Sequence, residues 1–169
     1  FACVACMTIS PLAAAVTARG AQNLRSFIKG RRLPRSDRII LILAFALIVA
    51  SLGSFEISIR PGAILAAFLT LAAVEAFSSV GVVAAVVFSA AGMVYGSASM
   101  PDIGALAMCA LAAYAVSTGG RFMMAAGFTA VWAFIATSFS LPPLYALEAA
   151  VGALAFALMP RRFHRARDP

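Results

Sequence analysis

Long apolar runs separated by short polar breaks dominate the chain, and this pattern predicts helices. The clearest runs cover Ile39–Phe55, Ile103–Ser117, Phe122–Ser138 and Leu144–Met159. Their lengths are close to the roughly 17–25 residues that a helix needs to cross a bilayer. Another apolar stretch at 1–18 predicts a partial transmembrane helix at the start of the chain. No alternation with a period of two, the pattern of a membrane-spanning strand, is visible.

The stretch Ala63–Tyr95 is too long to be one transmembrane helix. At about 1.5 Å per residue it would extend about 50 Å, whereas the hydrocarbon core of a bilayer is about 30 Å thick. Its middle, EAFSSVG, groups Glu75 with two serines and a glycine. These residues weaken a helix, and the carboxylate is costly in lipid. The sequence therefore predicts two helices, Ala63–Phe77 and Val80–Tyr95, with a tight turn between them.

Composition places the chain in the membrane class. Of its 169 residues, 63% are hydrophobic and 11% are charged, whereas a soluble domain is about half apolar and about a quarter charged. We expect an all-α fold, a polytopic helical membrane bundle of about six full transmembrane helices after the partial one. The expected organisation is a partial helix at 1–18, a basic cytoplasmic loop at 19–38, a six-helix bundle at 39–160 and a basic juxtamembrane segment at 161–169.

Positive charge is concentrated in two segments. Seven of the 13 lysines and arginines lie between Arg19 and Arg38, and four follow Pro160, so that Arg60 and Arg121 remain. Basic segments next to apolar runs mark the cytoplasmic side of a membrane. With 19–38 inside, six crossings return 161–169 to the inside and leave Arg60 outside. We expect basic residues before and after the bundle in sequence, both on the cytoplasmic side, to contact anionic lipid rather than nucleic acid. They are Arg31, Arg32, Arg161, Arg162, Arg165 and Arg167.

Two carboxylates inside apolar runs, Glu75 and Glu148, are the candidates for an intramembrane polar site. Such residues often mark an ion, proton or substrate pathway. Structural alternatives also exist: Glu75 at water depth at a helix end, and Glu148 near the headgroups or hydrogen-bonded across the bundle. Because the sequence contains no nucleophile with a base, phosphate loop, metal-ligand cluster or dinucleotide motif, we expect a non-catalytic chain without its own cofactor.

Four stretches of the chain, in their order and spacing, resemble the second half of the membrane region of the stage II sporulation protein E family. They are LPRSDRIILILAFALIVASLG, EAFSSVGVVAAVVFSAAGMVYG, IGALAMCALAAYAVSTGGRFMMAAGFTAVW and LYALEAAVGALAFALMPRR. Tyr145 and Glu148 match the start of that family's last helix, and Met159 and Pro160 match its end. The similarity extends over Leu33–Arg162.

The resemblance implies a role for this chain as the anchor and localisation region of a larger enzyme. In that family, a serine/threonine phosphatase domain of the protein phosphatase 2C type follows the membrane region and acts in sigma-factor activation during sporulation. The chain begins within an apolar run, so we expect a piece of a longer protein, with the phosphatase and its Mn or Mg beyond Pro169.

The resemblance also implies a location and partners. The expected location is the bacterial plasma membrane, including the division septum, with a cytoplasmic C-terminus. The partners expected from the resemblance are further copies of the chain and cell-division proteins, in addition to the lipid bilayer that the apolar composition predicts. The alternative function is a small membrane transporter or exporter domain with its site at Glu75 and Glu148, since interrupted apolar stretches also occur at transporter sites.

Overall fold

Helices make up all the regular secondary structure that the computed structural model describes. The backbone is described at residues 2–28, 34–53, 60–94 and 100–159, and side chains at 13–26, 34, 36–52, 60–88 and 104–159. The α-helices in these ranges are α1 Ala2–Ile28, α2 Arg35–Gly53, α3 Pro61–Phe77, α4 Ser79–Val94, α5 Met100–Ala115, α6 Arg121–Ser138 and α7 Pro143–Leu158. The all-α prediction is therefore confirmed.

The prediction of about six full transmembrane helices is wrong. Within the described residues, one helix, α6 with 18 residues, is long and apolar enough to cross a membrane. The other apolar helices of the second half have 10–17 residues. A helix of 16 residues, such as α7, extends about 24 Å, which is shorter than a hydrocarbon core of about 30 Å. An apolar run can form a helix without crossing a membrane, and the predicted runs were at or below the lower limit of length for a crossing.

The predicted division of Ala63–Tyr95 into two helices is confirmed. Helix α3 ends at Phe77, and α4 begins at Ser79. The residue between them, Ser78, has φ 53° and ψ −121°, which reverses the chain within one residue. The other predicted ends of the last five helices fall within a few residues of the observed ones, because Gly, Pro and Ser disfavour continued helix at those places.

The described helices divide into two compact units, of which the first extends to Ile48. In this unit α1 continues through Arg19 to Ile28, so part of the segment predicted as a basic loop is helical. Gly20 lies directly against Ala44 of α2. The Asn23 side-chain amide donates a hydrogen bond to the Asp37 carbonyl oxygen at 3.3 Å. The cytoplasmic location of this segment stays a prediction.

The second unit, Val49–Met159, contains α3 to α7, with α3 at its centre. Each helix packs against the next one along the chain, and α3 contacts all four others. The described turns, at 78, 116–120 and 139–142, make the helices that they join antiparallel. The ends of α3 and α7 meet at the same ends of the unit, so α3, α5 and α7 point one way and α4 and α6 the other. Leu71 and Thr70, in the middle of α3, are 0% exposed.

Two glycines allow the close approach of helices to α3. Gly81 of α4 lies against the backbone of Ala73 and Val74, and Gly152 of α7 lies against the Ile64 carbonyl and Ala67. A Cβ atom at either glycine would overlap these atoms. Small residues at contacts of this kind bring helix backbones close enough for dense van der Waals packing.

The outer surface of the second unit is strongly apolar. Phe134 is 70% exposed, and Phe122 and Leu158 are each 68% exposed. Further exposed apolar residues occur on α4, α5, α6 and α7, including Val83, Met108, Leu111, Met123, Leu147, Val151 and Leu154. The interior of this unit consists largely of alanine, with a few large side chains such as Phe88, Phe128 and Phe156. Many of its other large apolar side chains therefore lie on the surface.

Candidate functional site

An arginine and a glutamate form an ion pair where α3 begins. Arg60 is the N-cap residue of α3, and Glu148 lies in the second turn of α7. The Arg60 backbone N–H donates to Glu148 Oε1 at 2.8 Å, and Arg60 Nε donates to Oε2 at 3.0 Å. Arg60 Nη2 lies 3.0 Å from the same oxygen. The carboxylate, which is 1% exposed, therefore receives both a positive charge and a donor from a helix N-terminus.

Aromatic residues complete this end of the unit. The Arg60 guanidinium lies 3.4 Å from the centroid of the Tyr145 ring, in a cation–π contact. The indole N–H of Trp132, on α6, donates to the Tyr145 carbonyl oxygen at 3.0 Å. We call Arg60, Trp132, Tyr145 and Glu148 the Arg60 cluster. It connects the start of α3, the start of α7 and the second half of α6.

A second ion pair lies at the opposite end of α3. Arg121, the first residue of α6, donates from Nε to both oxygens of Glu75, at 2.8 and 3.0 Å. Its Nη1 donates to the Met159 carbonyl oxygen at 2.5 Å. The guanidinium carbon also lies 5.6 Å from the centroid of the Phe156 ring. We call Arg121, Glu75 and the Met159 carbonyl the Arg121 cluster.

The Arg121 cluster connects the ends of three helices through one guanidinium group. Glu75 lies in the last turn of α3, and Met159 is the C-cap of α7. The carbonyl groups at a helix C-terminus lack partners within the helix and carry partial negative charge, which a cation stabilises. The fixed fork of donors on arginine suits simultaneous bonding to a carboxylate and a carbonyl.

The two predicted glutamates are not brought together. Glu75 belongs to the Arg121 cluster and Glu148 to the Arg60 cluster, and these clusters lie at opposite ends of α3. The 15 residues from Arg60 to Glu75 correspond to about 22 Å along the helix. Glu148 makes a cross-bundle hydrogen bond, which was one of the structural alternatives. The six predicted lipid-contacting arginines, at 31, 32, 161, 162, 165 and 167, lie outside the described residues, and their role stays a prediction.

Sequence reasoning missed the partners of the two glutamates. Arg60 was used only to assign a side of the membrane, and no partner was predicted for Arg60 or Arg121. A signal was present, because these are the two arginines outside the basic segments, and the apolar runs contain two glutamates to match them. Charged residues in apolar surroundings pair with one another, so equal numbers of opposite charge predict pairing, although not which partners meet.

Comparison with known proteins identifies no relative. No protein-family model, no curated protein and no solved structure matches the chain. Among the residues that the structure describes, no group of three or more His, Cys, Asp or Glu side chains could hold a metal ion. The structure alone therefore describes the second unit: a helical unit with an apolar surface and an arginine–glutamate ion pair at each end.

Proposed function

We propose that the chain is a non-catalytic membrane anchor and that its second unit is embedded in lipid. The observation that carries this proposal is the exposed apolar surface of α4 to α7. Phe122, Phe134 and Leu158 are each more than two-thirds exposed, with other large apolar residues around them. A surface of this kind in water promotes association, whereas in lipid it is the surface that a helical bundle requires.

The placement of charge supports the same proposal. Glu75 and Glu148 both accept hydrogen bonds from arginines at the ends of the unit. The part of α3 between Arg60 and Glu75 contains no ionisable residue. Charges near lipid are tolerated when they pair with each other or satisfy backbone groups. Embedding does not require every helix to cross, since α6 has crossing length and packs against both α5 and α7.

The resemblance to the stage II sporulation protein E family makes the proposal more specific. Three of the four residues that carry it at the last helix, namely Tyr145, Glu148 and Met159, contribute to the two clusters. We therefore propose that the chain anchors a phosphatase of this kind in a bacterial plasma membrane, and that the phosphatase acts at the division septum. A protein phosphatase 2C-type domain encoded after Pro169 is the expected finding; further apolar spans there would contradict it.

Membrane embedding is tested first by fractionation. The chain, produced in a bacterium with a C-terminal tag, should remain in the membrane pellet after alkaline carbonate washing and should be released by detergent. Recovery in the carbonate supernatant would overturn the proposal.

Cysteine accessibility then tests the placement of the two ends. In a variant lacking Cys3, Cys6 and Cys109, single cysteines replace Ser79 and Ser140, two exposed residues at opposite ends of the unit. An impermeant thiol reagent should label one of them in intact cells and the other after permeabilisation. Labelling of both from one side would contradict a crossing of the membrane by α6, which begins near Ser79 and ends near Ser140.

The transporter alternative is tested by flux. Both glutamates are held in ion pairs, so we expect proteoliposomes containing the chain to show the same proton and ion leak as empty vesicles. A flux that Glu148→Gln or Glu75→Gln abolishes would replace the anchor by a transporter.

A further inference from the structure

The turn between α3 and α4 has a strained backbone. Ser78 has φ 53° and ψ −121°, a region that side-chain-bearing residues rarely adopt and that glycine normally occupies in tight turns. Among the described residues, Ser78 and Ser140 are the non-glycine residues with positive φ. A strained residue persists where its surroundings determine the backbone more strongly than its own preference does.

Short contacts keep this turn tight. The Ser78 N–H donates to the Val74 carbonyl oxygen at 2.9 Å, and the Gly81 N–H donates to the Ser78 carbonyl oxygen at 3.0 Å. Gly81 also lies against the backbone of Ala73 and Val74. A relaxed turn at Ser78 would move the start of α4 away from the last turn of α3, so the strain and the close helix packing depend on each other.

Glu75, the acidic member of the Arg121 cluster, lies three residues before Ser78. Glu75 is fixed by Arg121 of α6, which also bonds the Met159 carbonyl at the end of α7. The last turn of a helix is where fraying begins, and here that turn is bonded to a buried guanidinium. The same group thus constrains both the helix end that precedes the turn and the point where the chain leaves α7.

We propose that the Arg121 cluster keeps the Ser78 turn in its strained form, and that release of the Glu75–Arg121 pair opens the turn and frees the end of α7 together. The unit then contains a two-state element that couples the α3–α4 turn to the C-terminal end of α7 at Met159. This proposal does not depend on the membrane or on the family, because it rests on contacts within the second unit.

Hydrogen exchange in the purified chain tests the coupling with four proteins: wild type, Glu75→Gln, Ser78→Gly and the double variant. The measured quantity is the exchange rate of the amides in the peptide from Val74 to Gly81. Glu75→Gln should raise the rate at least about tenfold, a change expected for local opening. In the double variant, glycine removes the strain, so the rate should return to within about threefold of Ser78→Gly alone.

Glu148→Gln is the matched control, because it removes the same charge from the ion pair between α7 and the start of α3. It should leave exchange between Val74 and Gly81 unchanged. Should Glu75→Gln fail to fold, Arg121→Lys decides by the same criteria, since a single ammonium group cannot reproduce the arginine fork to carboxylate and carbonyl. Unchanged exchange in the first variant, or equal opening in the single and double variants, would overturn the proposal.

Discussion

The two ends of the second unit have the same pair of residue types with opposite burial. In the Arg60 cluster the acid is the buried partner: Glu148 is 1% exposed and Arg60 is 21% exposed. In the Arg121 cluster the base is more buried: Arg121 is 8% exposed and Glu75 is 18% exposed. One end therefore protects a carboxylate from solvent, and the other protects a guanidinium.

This difference has a chemical consequence. Glu148 keeps a hydrogen bond from the backbone N–H of residue 60 whatever side chain stands there. Glu75, by contrast, supplies the carboxylate that faces the buried Arg121 guanidinium, and an arginine remains charged in proteins. Arg121 therefore depends on Glu75 for charge compensation more strictly than Glu148 depends on Arg60. The same kind of substitution should destabilise the two ends to different extents.

The largest effect is expected from Glu75→Gln. It leaves the Arg121 guanidinium buried without a compensating charge, and the free energy of unfolding should fall by about 3 kcal/mol, as for other buried pairs that lose one partner. Chemical denaturation of the purified chain in detergent, followed by the fluorescence of its single tryptophan, Trp132, measures this loss.

A double substitution separates lost charge compensation from lost packing. Glu75→Leu combined with Arg121→Met removes both charges and retains apolar volume, so most of the stability should return, to within about 1 kcal/mol of wild type. A double variant as unstable as Glu75→Gln would show that the bond from Arg121 to Met159 matters more than the ion pair.

Arg60→Gln should have the second largest effect, a loss of about 2 kcal/mol, since it removes the charge that faces a buried carboxylate. The loss should be smaller than that of Glu75→Gln, because Glu148 keeps its hydrogen bond from the backbone N–H of residue 60. The same denaturation measurement applies, and a larger loss for Arg60→Gln than for Glu75→Gln would reverse the comparison between the ends.

The helices of the second unit were predictable because their ends are encoded locally. Ser78, Gly120 and Pro142 stand at the breaks between apolar runs, and a short break leaves few choices of helix end. The number of membrane crossings was not predictable from the same runs. Their lengths lie near the lower limit for crossing, where a difference of a few residues decides between a crossing and a shorter helix.

The candidate site was half predictable. Glu75 and Glu148 were recognisable because a carboxylate in an apolar run needs an explanation. Their separation into two clusters was not recognisable, since it depends on α3 and α7 being parallel and adjacent, which follows from the packing of five helices. The partners Arg60 and Arg121 are 88 and 46 residues away in sequence, and nothing local connects them to the glutamates.

Glu148→Gln should lower the free energy of unfolding by about 1 kcal/mol, which is less than the loss expected for Glu75→Gln or Arg60→Gln. Glutamine has nearly the same shape and retains an oxygen that can accept the Arg60 backbone N–H. The Arg60 side chain, which is 21% exposed, can then turn to water. The comparison with Arg60→Gln is informative, because an ion pair of equal importance to both partners would give equal losses. Equal losses in the denaturation experiment would contradict the role of burial.

The smallest effect concerns the turn at the Arg60 end, and it should be stabilising. Ser140 has φ 51° and follows the C-cap of α6. Its N–H donates to the Thr137 carbonyl oxygen at 3.3 Å, and the Leu141 N–H donates to that of Ala136 at 2.9 Å. This is the arrangement in which glycine is preferred after a helix.

Ser140→Gly should therefore raise the free energy of unfolding by about 0.5 kcal/mol. Relief of the left-handed backbone contributes about 1 kcal/mol, and the greater freedom of glycine in the unfolded chain offsets about half of it. Ser138→Gly is the matched control, because Ser138 is the last residue of α6 and has a helical backbone. Glycine there relieves no strain and removes the hydrogen bond from the Ser138 hydroxyl to the Phe134 carbonyl oxygen, so it should lower the stability. Opposite signs for the two variants in parallel denaturation curves are expected. A loss of stability in both would mean that the backbone at Ser140 is not strained, and that the two ends of the unit differ in their turns as well as in their ion pairs.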